Sequence, residues 1–492
     1  MGPNRQPHAD PNVLIIDQDA NTDVYVFPVT PAQDRIWQAD EAYPGNPIYN
    51  TSFRWLIDGR LETEILEHSF SEIVRRHEIL RTTFGRANGS PVQIISPRLC
   101  LSIPSRDLRS LPVDKREPEL EQLCEQEAVR RFDLRKGPLI RVGLVRMSDD
   151  QHVLMLTLHH IIADGWSIAL IMEELEKIYL ADASGKPCPL PDLQIQFGDY
   201  AVWLLDRTAG GGLASQLHYW TTKLANYSPV NVQTDYIRAE SGDARSSIIS
   251  SVLPRGVTDA VKDLSNRQGG TLFVTSLAVC MVLLHHYTKK ADIAVGSPLA
   301  GRNQLETEDL IGLFVNYAVF RVQIDPGITF AEVVHRVRDV VLEAVANQDI
   351  PFEHVCSKLD LSGACKTALF HSVNFICQKE YARASKFLFE FAGLRIRTLP
   401  SKSQGALYDL NFFMVERSDG WRLSIEYNRN LYKRGSAQIM LDDFCGMLEQ
   451  LSRGFDISIS QLRLQGGVHA PTVTGEAGAL SAPKLRESYG AQ

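Results

Sequence analysis

The chain contains the run HHIIADG at residues 159–165, between an apolar segment and a pattern typical of a helix. Residues 152–162 are rich in apolar and β-branched side chains and predict a strand, and residues 153–158 predict burial on both of its faces. Asp164 and Gly165 form a turn pair. A helix is predicted to follow. The run therefore lies where a strand is connected through a turn to a helix.

The predicted helix begins near Trp166 and Ser167. Its apolar residues recur at helical spacing on one face: Ile168, Ile171, Met172, Leu175 and Ile178. A short turn separates the first turn of this helix from the two histidines, which places the backbone N–H groups of the helix beside the end of the strand. Such N–H groups can stabilise a developing oxyanion.

The two histidines stand at the end of the predicted strand. Adjacent side chains of a strand point to opposite faces, so only one of His159 and His160 can face a given cavity. A histidine in this position can take a proton from an acceptor during acyl transfer. Taken alone, however, the seven residues favour a simpler interpretation, a pair of hydrogen-bonded core histidines.

Other chemistries fit the sequence less well. The two histidines would project apart, and no third ligand stands nearby, so we expect no metal site. No GxSxG segment suggests a serine hydrolase. The net charge of −8 disfavours a nucleic-acid or anionic-membrane surface, because either requires clustered Lys and Arg.

The composition predicts an ordinary globular protein in the cytoplasm. The 492 residues are 44% hydrophobic and 22% charged, which suits two or three domain-sized units. The eight cysteines lack the close CxxC pairs of structural zinc sites and fit a reducing cytosol. The polar N-terminus lacks the apolar stretch of a secretory signal. The most apolar window, residues 272–284, is too short to span a bilayer and predicts a core helix.

Helical and strand patterns alternate along the chain, which predicts an α/β (α+β) fold with mixed sheets. The predicted helices are residues 61–77, 119–131, 257–267, 272–284 and 330–347. The predicted strands are residues 139–147, 292–297, 370–378, 408–416 and 422–427, with a hairpin at 82–95 turning at Asn88 and Gly89. Residues 1–26 and 465–492 predict tails, and the prolines and glycines of 187–191 and 210–212 mark a passage between lobes.

The stretch HHIIADGWS matches the HHxxxDG signature of the condensation domains of nonribosomal peptide synthetases. Other segments resemble motifs of that family in the same order along the chain. They are PAQDRIW (31–37), RRHEILRTTF (75–84), FDLRKGPLIR (132–141), GDYAVW (198–203), VGSPLAGRN (295–303), IGLFVN (311–316) and NQDIPFE (347–353). The resemblance covers about residues 27–464.

The resemblance implies two lobes, each like chloramphenicol acetyltransferase, at residues 27–190 and 191–464. They would form a V-shaped pseudodimer with the active site in a central tunnel. Members of the family take an acyl group held as a thioester on the phosphopantetheine arm of a carrier protein and join it to a nucleophile. No cofactor is expected on the chain itself.

The resemblance also divides the roles within the motif. His160, the second histidine, corresponds to the catalytic position, as general base or as orienter of the nucleophile. Asp164 is mainly structural and pairs with an arginine, which Arg302 would supply. Gly165 leaves its backbone N–H open to approach by the thioester. The supporting residues are His159, as a buttress, and Trp166, Ser167 and Asn316.

Three positions depart from the family pattern and bear on the acceptor. Tyr317 follows FVN where the family usually has Thr, and its bulk is expected to narrow or reshape the tunnel. Ala368 replaces a proline in LSGACKTALF, and Asn347 replaces the first histidine of HQDxPFE.

The sequence therefore predicts a condensation enzyme that forms an amide or ester in nonribosomal peptide or hybrid polyketide biosynthesis. Without an adenylation domain or a GGxS carrier motif, it resembles a free-standing monomer, the alternative being a domain excised from a larger synthetase. Its donor is expected to arrive on a separate acyl or peptidyl carrier protein. The acceptor would be a small molecule or carrier-bound, and no nucleic-acid or membrane partner is expected. One alternative is an acyltransferase that uses acyl coenzyme A, or one that resembles the polyketide-associated proteins. The DFGWG motif of the plant-type coenzyme A acyltransferases is absent. The other alternative is a non-catalytic recruitment module.

Overall fold

The computed structural model describes residues 14–15, 24–238, 245–359, 372–379, 388–399, 405–417 and 420–465. The chain divides into two compact units. Unit 1 comprises Met1–Ala214, Ala300–Asn316 and Tyr381–Gln404, and unit 2 comprises Ser215–Leu299, Tyr317–Glu380 and Gly405–Gln492. The predicted boundary lies at residue 190, whereas this division assigns residues 191–214 and two later segments to unit 1.

The elements alternate between strands and helices, as the sequence predicts. The strands are β1 (Leu14–Ile15), β2 (Tyr25–Pro28), β3 (Asn50–Asp58), β4 (Thr82–Ala87), β5 (Ser90–Ile95), β6 (Ser105–Asp107), β7 (Ile140–Arg146), β8 (Gln151–His159), β9 (Ser246–Pro254), β10 (Asp292–Leu299), β11 (Asn316–Gln323), β12 (Val373–Lys379), β13 (Leu388–Phe391), β14 (Leu394–Thr398), β15 (Leu410–Arg417) and β16 (Gly420–Asn428). The helices are α1 (Pro31–Ala42), α2 (Thr63–Arg76), α3 (Val113–Val129), α4 (Gly165–Ala183), α5 (Phe197–Ala209), α6 (Ala214–Lys223), α7 (Arg255–Arg267), α8 (Leu272–Thr288), α9 (Phe330–Ala346), α10 (Phe352–Lys358) and α11 (Arg434–Leu451).

Unit 1 contains two sheets. One has the order β1-β2-β5-β4 and is antiparallel throughout. The other has the order β13-β14-β3-β8-β7-β6, antiparallel except for the parallel pair β6 and β7. Because β8 lies between β3 and β7, the strand that ends at His159 is central in its sheet. α2 packs against α4, which follows β8.

Unit 2 contains one mixed sheet of the order β11-β10-β12-β15-β16-β9. β12 is parallel to both β10 and β15, whereas β16 pairs antiparallel with β15 and β9. Buried residues run from Val274 to Leu284 in α8, which contacts α9, α11, β10 and β12. The prediction of a core helix there, and of an α/β fold with mixed sheets, is confirmed.

The apolar helix also bears on membrane insertion. Among the described residues, no single helix is long and apolar enough to cross a bilayer. Two consecutive helices that are bent against each other, Arg255–Arg267 and Leu272–Thr288, would together be long and apolar enough by length and composition only. The second of them is the buried core helix of unit 2.

The predicted hairpin shows how local sequence decides local structure. β4 and β5 pair antiparallel with Ala87 opposite Ser90, so the loop is the two residues Asn88 and Gly89. Their φ angles are 51° and 84°. Positive φ at both loop positions is the requirement of a type I′ turn, and Asn-Gly meets it at low cost.

Several predicted boundaries differ from the structure by a few residues, and three of them are instructive. The strand predicted at 152–162 ends at His159, because His160–Ile162 is a 3-10 turn capped by the His159 side chain. The helix predicted at 119–131 spans Val113–Val129, and Pro118 lies inside it. Within the predicted N-terminal tail, β1 and the start of β2 belong to a sheet.

Other predictions fall partly outside the described residues. They are the remainder of the N-terminal tail, residues 466–492 of the C-terminal tail, the substitution at Ala368 and the first residues of the strand predicted at 370–378.

Candidate active site

The HHIIADG run lies in unit 1, where β8 gives way to a short turn and then to α4. β8 is buried along most of its length because it has a strand on each side, although Met155 is half-buried. The 3-10 turn His160–Ile162 follows, and the Gln33 side chain of α1 donates a hydrogen bond to the Ile161 carbonyl over 3.1 Å. The predicted strand, turn and helix are therefore present, and Gln33 fixes the turn from a second helix.

His160 is half-buried, and its ring is held by one of its nitrogens. Nδ1 lies 2.7 Å from the carbonyl oxygen of Ala163. A carbonyl only accepts, so Nδ1 carries a proton, and the neutral ring has its lone pair on Nε2. Burial, with a smaller contribution from Arg35, lowers the pKa of His160 despite the opposing effects of the Ala163 carbonyl and Asp164. The arrangement supplies a neutral imidazole base.

His159 is 2% exposed and makes different contacts. Its Nδ1 accepts from the Ile161 backbone N–H over 3.3 Å, and its ring meets Phe132 edge-on at 5.9 Å. Burial, then the neighbouring His160 and Arg141, lowers the pKa of His159 to about 3. The ring is neutral and caps the turn, a geometry that suits the predicted buttress.

Asp164 is the N-cap of α4. Its Oδ1 accepts from the Ser167 backbone N–H over 2.9 Å, and Ser167 Oγ in return lies 3.3 Å from the Asp164 backbone N–H. These reciprocal contacts form a capping box. Because Asp164 and Ser167 are three residues apart, each can satisfy the backbone N–H of the other, and the helix begins here.

The predicted partner of Asp164 is also in place. The Arg302 guanidinium donates to Asp164 Oδ1 over 3.1 Å, and the two residues are 9% and 2% exposed. Arg302 also donates to the carbonyls of Thr307 and Leu310, at 2.5 and 2.7 Å. A buried charge requires such compensation, and here both members of the pair have several partners.

The remaining predicted residues, Gly165, Trp166 and Asn316, differ in their exposure to solvent. Gly165 is exposed at the first position of α4, and an added Cβ would meet nothing within 4 Å. The Trp166 indole donates to the Glu308 carbonyl over 2.9 Å. Asn316 is half-buried at the start of β11. The structure thus brings His160, Asp164, Ser167 and Arg302 together, with His159 behind the turn.

Among the contacts that were not predicted, two are made by backbone N–H groups. The Phe314 backbone N–H donates to Asp164 Oδ2 over 3.1 Å, and the Gly312 N–H donates to Ser167 Oγ over 3.1 Å. A backbone donor leaves no signature in residue type, so no sequence signal could have identified them. Among the described residues, no group of three or more His, Cys, Asp or Glu could hold a metal ion.

The chain matches a known protein family over most of its length. The model of the Condensation domain family matches residues 24–466. One of the proteins that make up the linear gramicidin synthase of Brevibacillus parabrevis is 35% identical over 441 residues, which is 89% of this chain but 6% of that protein. The chain therefore spans a small part of such a relative.

Solved structures show the same fold. The X-domain from teicoplanin biosynthesis is 26% identical with a TM-score of 0.78, covering 89% of this chain and 97% of that one. The SgcC5 protein from Streptomyces globisporus, solved with an aryl diol, (R)-(-)-1-(2-naphthyl)-1,2-ethanediol, and sucrose, is 25% identical with a TM-score of 0.75, covering 88% and 100%. The chain belongs to the condensation domain family of nonribosomal peptide synthetases.

Proposed function

We propose that this chain is an acyltransferase that joins a carrier-bound acyl thioester to an amine or alcohol, with His160 as the base. The observation that carries the proposal is the hydrogen bond from Nδ1 of His160 to the Ala163 carbonyl. It leaves the Nε2 lone pair to accept the proton of the attacking nucleophile.

The reaction balances without a covalent acyl-enzyme. The lone pair of the nucleophile's nitrogen or oxygen forms a bond to the thioester carbonyl carbon, and the N–H or O–H proton of the nucleophile passes to Nε2 of His160. The tetrahedral intermediate then collapses, the C–S bond breaks, and the proton passes to the phosphopantetheine sulfur. The N–H groups at the start of α4 would stabilise the oxyanion, because the first turn of a helix has N–H groups without intrahelical partners.

The surrounding contacts support this assignment of roles. Asp164 is engaged by Ser167, Arg302 and Phe314, so it holds the turn. His160, by contrast, is half-buried, and its ring is held through Nδ1 by the Ala163 carbonyl. Asp164 is therefore a positioning residue, and His160 is the group that meets the nucleophile.

The acceptor class is open to both amines and alcohols. Nonribosomal synthetase relatives favour an amine, whereas SgcC5 was solved with an aryl diol bound. The same base serves either nucleophile, and the proposal therefore includes ester as well as amide formation.

The experiment uses acyl carrier proteins loaded with candidate donors, a panel of amines and aryl diols, and intact-protein mass spectrometry to follow deacylation. His160→Ala is expected to abolish product formation. The matched control is His285→Ala, since the His285 Nδ1 also lies 2.7 Å from a carbonyl, that of Lys290, at the end of α8. Near-normal turnover by His160→Ala would overturn the proposal.

The same assay separates the alternatives. Each donor is supplied on the carrier and on coenzyme A, and a preference for coenzyme A would identify a soluble-donor acyltransferase instead. Binding of the carrier without turnover of any donor would identify a recruitment module.

A further inference from the structure

Three backbone N–H groups of residues 311–314, which we call the 311–314 segment, donate hydrogen bonds within unit 1. Two of them, Gly312 to Ser167 and Phe314 to Asp164, belong to the candidate active site. The third lies at the other end of the segment, where the Ile311 backbone N–H donates to His77 Nδ1 over 3.4 Å. The proposed mechanism gives His77 no role.

His77 is 1% exposed and follows the last residue of α2. Its Nε2 lies 2.9 Å from Oε2 of Glu174, a buried residue of α4. The Arg76 guanidinium donates to the other carboxylate oxygen of Glu174 over 2.8 Å. Arg76, His77 and Glu174 therefore form a buried cluster between the end of α2 and the middle of α4.

The hydrogen bonds define the protonation of this cluster. A backbone N–H only donates, so His77 Nδ1 is unprotonated and its proton is on Nε2, from which it donates to Glu174. Burial alone would raise the pKa of Glu174, but its hydrogen bond and charge interaction with His77, and then its pairing with Arg76, outweigh burial and lower the pKa. Glu174, which accepts from Nε2, therefore orients the His77 ring with Nδ1 towards the Ile311 N–H.

We propose that His77, oriented by Glu174, is a positioning residue that holds the 311–314 segment against Asp164 and Ser167 and so keeps the His160 turn in reactive geometry. The inference rests on the proposed function, because it assigns His77 an effect on the rate of that reaction. α4 joins the two ends of the arrangement, since it carries Asp164 at its N-cap and Glu174 further along.

Two conservative variants separate the nitrogens of His77. The amide of Asn lies near the position of Nδ1, so His77→Asn retains an acceptor for Ile311. The amide of Gln reaches the position of Nε2, so His77→Gln retains a partner for Glu174 and loses the acceptor. We expect kcat to fall about tenfold to a hundredfold in His77→Gln, the range for a misplaced reacting group, and clearly less in His77→Asn. The KM for the loaded carrier should be unchanged in both.

The matched control is a second histidine–carboxylate pair on the same two helices. His68 of α2 and Asp182 of α4 approach to 2.7 Å, but the His68 side chain is exposed. His68→Ala should retain the kcat and the melting temperature of the unsubstituted protein.

Amide hydrogen exchange gives a readout that does not depend on turnover. In the unsubstituted protein the Ile311 amide should be protected, and exchange across residues 308–316 should accelerate in His77→Gln but not in His68→Ala. An unprotected Ile311 amide in the unsubstituted protein, or equal kcat in His77→Gln and the unsubstituted protein, would overturn the inference even while His160→Ala remains inactive. If His160→Ala is fully active, the proposed function fails, and the exchange pattern still decides whether His77 holds the segment.

Discussion

Asp164 and Arg302 form a buried ion pair although 138 residues separate them in the chain. The guanidinium lies 3.1 Å from the carboxylate, and both side chains are almost completely shielded from solvent. Arg302 binds two carbonyls of the segment that follows it, while Asp164 binds the first turn of α4. The pair therefore ties the helix after the HHIIADG run to the segment after β10.

Removal of one member of this pair should be costly, because it leaves the other charge buried without compensation. We expect Arg302→Ala to lower the free energy of unfolding by about 3–5 kcal/mol, measured by urea denaturation. The matched control is Arg336→Ala, since Arg336 and Asp325 also approach to 3.1 Å but are 40% and 63% exposed. That change should cost less than about 1 kcal/mol. Equal losses in the two variants would contradict the role given to burial.

The elements of the fold were predictable where the signal is local. The Asn88-Gly89 loop and the uninterrupted apolar run of α8 each depend on residues close together in the sequence, and the structure confirms both. The pairing of β14 with β3 was not predictable, because it joins strands more than 300 residues apart whose patterns fit many partners.

The candidate site divides in the same way. The contact between Asp164 and Arg302 was implied by the family resemblance, and a search of local chemistry alone would not have found it. The contacts to Gly312, Phe314 and Ile311 use backbone N–H groups, which every non-proline residue carries. Residue type therefore holds no information about them, and only the folded geometry shows which N–H reaches which acceptor.

The pH dependence of turnover should report the environment of His160. Burial lowers the pKa of this histidine below its ordinary value of 6.5, so the ring stays neutral to a lower pH. Because a base acts only when unprotonated, activity should be retained as the pH falls through 6.5 and lost on passing the lowered pKa. The measurement is kcat/KM against pH, over the range in which circular dichroism shows the protein folded. An acidic limb centred above 6.5 would contradict the expected direction.

Tyr317 occupies the space that a side chain at position 296 would need. An added Cβ on Gly296 would lie 1.8 Å from the tyrosine hydroxyl oxygen, which donates to Asn374 Oδ1 over 3.1 Å. We expect Gly296→Ala to destabilise the protein by about 1–3 kcal/mol, the usual cost of overpacking. The measurement is again urea denaturation.

The second substitution in this test replaces Tyr317 by the residue that the family usually carries. Gly296→Ala combined with Tyr317→Thr should recover part of the stability lost in Gly296→Ala alone, because the clash is removed. Gly435→Ala is the control, since an added Cβ at that helical position meets nothing within 4 Å. A double variant less stable than Gly296→Ala would show that the tyrosine is not the obstacle.

Gly165 offers the sharpest separation of stability from function. It occupies the first position of α4, where a Cβ would meet no atom of the protein within 4 Å. Alanine is favoured over glycine in a helix by up to about 1 kcal/mol, so Gly165→Ala should leave the free energy of unfolding unchanged or slightly increased. Nothing in the folded chain therefore demands glycine at this position.

If glycine instead serves the approach of a thioester to the helix N-terminus, the same methyl group should obstruct the substrate. We expect Gly165→Ala to lower kcat/KM for the loaded carrier at least about tenfold, as misplacement of a reacting group does. The comparison is with Gly435→Ala, which adds a methyl group to the first turn of another helix, α11, and should retain full activity. A fully active, fully stable Gly165→Ala would remove this glycine from the site, whereas a stable and inactive variant would place the reacting thioester beside the first turn of α4.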